Sequence, residues 1–101
     1  MTIGSALVSL DAVETAPVNG DAFVVGSVDR ESFSLQVDGM VTNDVVQVEA
    51  SNDGGTTWTQ VGDDITADGM YSVEAGAEQY RAVFSDDSGG GTVSATFFGG
   101  Y

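Results

Sequence analysis

Apolar residues in this chain alternate with polar ones in short runs, and turn residues separate the runs. The clearest case is 32–37, where Phe33, Leu35 and Val37 alternate with Ser32, Ser34 and Gln36, the period-two pattern of a half-buried β-strand. In 45–51, Val46, Val48 and Ala50 share one face and Val45, Gln47 and Glu49 the other. Further strands are predicted over 22–28, 57–61, 70–75, 79–84 and 92–98, the last with Val93, Ala95 and Phe97 on one side. The first run, 6–13, alternates loosely. Its more apolar set, Ala6, Val8, Leu10 and Ala12, is expected to face inward. Between the runs stand Asn19-Gly20, Asp29-Arg30-Glu31, Asp38-Gly39, Asn43-Asp44, Asn52-Asp53-Gly54-Gly55, Gly62-Asp63-Asp64 and Ser88-Gly89-Gly90-Gly91. Pro17 lacks a ladder donor and marks an edge or a break. Seven or eight strands at roughly ten-residue spacing predict an all-β antiparallel sandwich.

Composition supports that pattern and narrows the chemistry. The 101 residues suit one domain, 1–101, in which 1–17 is either a first strand or an intersubunit arm. Fourteen Gly and a shortage of Lys, Leu and Gln disfavour helix. Sixteen Asp and Glu stand against Arg30 and Arg81, giving a net charge of −14, which repels phosphate backbones and anionic lipid. Neither a nucleic-acid nor a membrane partner is expected. With no Cys and no His, thiol and imidazole chemistry are impossible, and no carboxylate pair stands out as an acid–base couple. The start of the chain has no basic segment ahead of an apolar run, so a cleaved secretion signal is not expected. No catalytic residue, cofactor or metal is expected. Asp63, Asp64 and Asp68, or Asp86 and Asp87, could gather around Ca²⁺, but the spacing is not that of an EF-hand loop and solvated loop acids are the favoured reading. Arg81 reads as an internal salt-bridge partner.

One stretch is specific. Ser51-Asn52-Asp53-Gly54-Gly55-Thr56-Thr57-Trp58 fits S-x-D-x-G-x-T-W at every specified position. It resembles the Asp-box of sialidase-type propellers, which also occurs singly in unrelated β-folds. In a hairpin turn the Asp carboxylate can accept backbone N–H bonds, Gly55 can take positive φ, and Trp58 can cover the turn. A glycosidase would need repeated boxes and an arginine cluster. Ser51, Asp53, Gly55, Thr57 and Trp58 are therefore expected to be a structural turn.

From about Asp21 onward the order of motifs resembles a known family. It runs through Val46-Gln47-Val48-Glu49-Ala50-Ser51, the turn Asn52–Gly55, Thr57-Trp58, Thr66-Ala67-Asp68-Gly69-Met70-Tyr71 and Gln79-Tyr80-Arg81-Ala82-Val83. These resemble the small Ig-like or fibronectin-like β-sandwich structural proteins of tailed bacteriophages. Val48-Glu49 stands where that pattern has Leu-Gln, which keeps the alternation. The resemblance implies a non-enzymatic head decoration or cement protein, made in the host cytoplasm and placed on the outer capsid surface. Its implied partners are the major capsid protein and further copies of itself, a trimer being favoured. Contact residues would be Ile3, Leu7, Leu10, Phe98 and Tyr101, with Phe97 in the core. Two other readings stay open: a carbohydrate- or host-surface-binding fibre or tail module, with Trp58 or Tyr71 as sugar platforms, and a tail-tube or neck subunit.

Overall fold

The computed structural model describes residues 5–24, 32–74, 77–86 and 91–99. Among them are nine strands and no helix: β1 (Ser5–Val13), β2 (Val18–Asn19), β3 (Phe23–Val24), β4 (Ser32–Asp38), β5 (Val45–Ser51), β6 (Thr59–Gln60), β7 (Gly69–Glu74), β8 (Gln79–Asp86) and β9 (Val93–Gly99). They form two antiparallel sheets packed as a sandwich. The first sheet has the order β1-β9-β4-β7; the second runs β2-β8-β5-β6, with β3 also on β8. The all-β sandwich expected from alternation is the fold. The count exceeds seven or eight because Val18-Asn19, too short to alternate, forms its own strand beside Phe84 and Val83.

Alternation in the central strands becomes burial. Leu35 and Val37 of β4, Val46, Val48 and Ala50 of β5, and Val93, Ala95 and Phe97 of β9 face the core, and Tyr80, Ala82 and Phe84 meet them from β8. Phe23 stacks on Phe97 with ring centroids 5.6 Å apart and planes 9° from parallel, which ties β3 to the opposite sheet.

β1 departs from the expected facing. Its register with β9 shifts between Val8 and Leu10 and again between Leu10 and Val13. Each shift inserts residues on one strand only and turns the side chains over. Leu10 is in the core as expected, but Leu7 and Val13 also pack on it, whereas Val8 is 47% exposed and Ala12 is exposed. Ala12 has φ 50 and its N–H is taken by Ser94 Oγ at 3.0 Å. The first bulge also turns Ser9 into the interior, where it joins the two sheets. Its hydroxyl donates to Asp21 O at 2.7 Å and accepts Ala82 N–H at 3.0 Å. Gly20 lies so close that a Cβ there would stand 2.3 Å from Ser9 Oγ and 2.6 Å from Ala82 O.

Candidate functional site

The Ser51–Trp58 segment joins β5 to β6 and makes a closed set of bonds. Asp53 Oδ1 accepts from Ser51 Oγ at 2.8 Å, Thr57 N–H at 2.9 Å and Thr56 N–H at 3.1 Å. Ser51 Oγ accepts the Gly55 N–H at 3.0 Å. Gly55 has φ 92, the left-handed region that glycine enters without a Cβ clash. The Trp58 indole N–H donates to Gly55 O at 2.9 Å. Backbone donation by Thr57, then the Ser51 hydroxyl, lowers the Asp53 pKa to about 2, so the turn is built around a carboxylate. Glu78, ahead of β8, accepts the Gly54 N–H at 3.0 Å, and its own N–H goes to Asn52 Oδ1 at 2.8 Å.

From this turn Trp58 lies across the outer face of the second sheet. The Arg81 guanidinium sits 4.3 Å from the Trp58 ring centroid and pairs with Glu49 Oε1 at 2.7 Å. One ring face and the indole N–H are thus already used. The other proposed sugar platform, Tyr71, gives its hydroxyl to Ala67 O. Asp64 is held by Gln60 and Gln47, which lower its pKa in that order, and Asp68 accepts the Met40 N–H at 2.8 Å. No group of three potential metal-ligating residues gathers among the described residues, and Asp87 lies outside them.

The expected contact residues separate. Leu10 is 1% exposed and belongs to the core, on the side where alternation placed it; the expectation that it makes partner contacts is corrected, because it has no surface to offer. Leu7 is half-buried against the same core. Phe98 is 49% exposed on the outer face of the first sheet. Ile3 and Tyr101 lie outside the described residues.

Phe98 does not stand alone. Register places it in one row with Ser34 and Ser72, and the adjacent row is Val8, Thr96, Gln36 and Met70. Met70 is 65% exposed and Val8 47%. These seven residues carry no charge in a chain of net charge −14, and charged residues return in the rows on either side, Asp38 opposite Ser94 and Glu74 opposite Ser32. Sequence reasoning missed Met70, and misplaced Val8 through the bulge. The signal was present: Ser34 and Gln36, and Thr96 and Phe98, are the uncharged outward positions of two strands read correctly.

Fold and site together define a small antiparallel β-sandwich with a carboxylate-centred turn, one charged outer face and one outer face whose central rows are uncharged. Its fold is that of a solved structure, the SPBc2 prophage-derived protein YomS, with a TM-score of 0.73 and 18% identity over 98% of this chain and 96% of that one. No family model and no curated protein matches the chain.

Proposed function

We propose that this chain is a non-enzymatic structural protein of a phage particle, of the head decoration or cement kind, which docks through the uncharged outer face of its first sheet. The observation that carries the reading is the segregation of charge. Val8, Phe98 and Met70 are exposed in two adjacent uncharged rows at the centre of that face, bounded by the rows of Asp38 and Glu74, while acids crowd the rest of the chain. Burying such a face removes apolar area from water without stranding a charge, whereas burying carboxylates would be opposed by their desolvation. The shared fold with a prophage-derived protein supports the phage setting.

The partner in this reading is the major capsid protein at a junction of shell subunits, with the acidic faces turned to solvent and further copies alongside in a trimer. Four strands of about seven residues present a flat area of roughly 450 Å² at ordinary strand spacings. A stable interface needs about 800 Å² per partner, so loops or chain ends must add to the face.

Purified protein added to heads that lack it should co-sediment with them and raise their resistance to heat and osmotic shock. Phe98→Glu should abolish co-sedimentation while leaving the circular dichroism spectrum unchanged. Equal binding by the variant, or equal robustness of heads with and without the protein, would overturn the reading.

A further inference from the structure

The sandwich is fastened along one side and open along the other. On the fastened side Ser9 and Asp21 join β1 to the second sheet, with Asp21 N–H on Ser9 O at 2.9 Å. On the open side β7 is the last strand of the first sheet, and the facing edge strand of the second, β6, is only two residues long. Between them lies a cleft of about 1040 Å³, at the upper end of the range of ligand sites. Val48, Ile65 and Val73 contribute apolar surface to it, and Asp63 and Asp64 stand exposed at its rim.

The β7 edge is unusually inviting. Exposed edges are normally blunted by bulges, proline or lysine. The opposite edge, β1, has two bulges. β7 pairs with β4 in one unbroken register from Gly69 to Glu74, contains neither Pro nor Lys, and has no second neighbour among the described residues. A row of backbone donors and acceptors therefore adjoins an apolar cleft. A second copy is a poor occupant, because it would bring the same acidic rim and a net charge of −14 against an identical one.

We propose that the β7 edge and its cleft receive an extended basic segment of a partner chain. The segment adds as a further strand to the first sheet, and its inward positions, every second residue, lay apolar side chains into the cleft and set a Lys or Arg at the rim against Asp63 and Asp64. This is strand addition, in which main-chain bonds supply affinity and alternate side chains supply selectivity. It does not rest on the head-surface reading, which uses the outer face of the same sheet.

The probe is a fluorescent peptide of about eight residues with Thr at every outward position and Val, Val, Lys and Lys at the inward ones, compared with the same peptide carrying Glu for Lys and with one interrupted by Pro. Fluorescence anisotropy should show the Lys peptide binding at least about tenfold tighter than either control. Amide exchange should slow at Gly69–Glu74 when it binds. Asp63→Asn alone, and with Asp64→Asn, should weaken binding several-fold with an unchanged circular dichroism spectrum. Equal binding of the Lys and Glu peptides, protection elsewhere than β7, or affinity unmoved by both variants would overturn the proposal. So would concentration-dependent self-association that protects β7 without any peptide.

Discussion

Three hydrogen bonds converging on one oxygen make Asp53 a residue through which solution pH reaches the fold. Its folded pKa of about 2 lies below the unfolded value of about 3.9. The group therefore contributes stability that is fully present above pH ~4 and is lost as pH falls towards 2. Thermal midpoints measured from pH 5 down to pH 2 should drop more steeply for the native protein than for Asp53→Asn. Parallel curves would show that the carboxylate is not what the turn is built on. Trp58 belongs to the same turn but answers a different question. Its indole N–H is bonded to Gly55 O and its ring lies against Arg81, so Trp58→Ala should destabilise by about 1–3 kcal/mol in urea unfolding. A variant of unchanged stability that had lost glycan binding would instead favour the sugar-platform reading.

At the scale of the strand, β1 shows what alternation can and cannot reveal. The central strands were legible because each keeps one register through its buried stretch, the shift between Val45 and Val46 lying at the very end of the β5–β8 pairing, so one pattern along the chain maps onto one face. β5 buries Val46, Val48 and Ala50, as its spacing predicts. In β1 the bulges break the map, and their determinant is distant in sequence. Ser9 turns inward to bond Asp21 and Ala82, twelve and seventy-three positions away. No local window contains that information. The consequence is measurable: Leu10→Ala should cost about 2–5 kcal/mol, as expected of a fully enclosed leucine. Val8→Ala should stay within about 0.5 kcal/mol. Comparable costs for the two in chemical denaturation would mean that β1 runs without its bulges, because Val8 and Leu10 would then share one face. The Asp53 turn was legible for the opposite reason, since all its donors lie within eight consecutive residues. The cleft was not, because it is a space between β7 and β6, which no sequence run represents.

Across the whole molecule, the distribution of charge gives the two proposed surfaces opposite responses to salt. Copies that dock side by side through the uncharged face bring fields of −14 each into proximity, and that repulsion opposes assembly. The contact itself, made by Phe98, Met70 and Val8, contains no ion pair to be screened. Raising NaCl from about 50 to about 500 mM shortens the screening length several-fold. Occupancy of phage heads should then hold or increase. A basic segment at β7 is attracted by the same field and by Asp63 and Asp64, so the Lys peptide should bind more weakly over the same range. Sedimentation of heads with bound protein and peptide anisotropy, measured in the same buffers, give both responses. If head binding also falls steeply with salt, carboxylates must make the contact, and the uncharged face is not the docking surface.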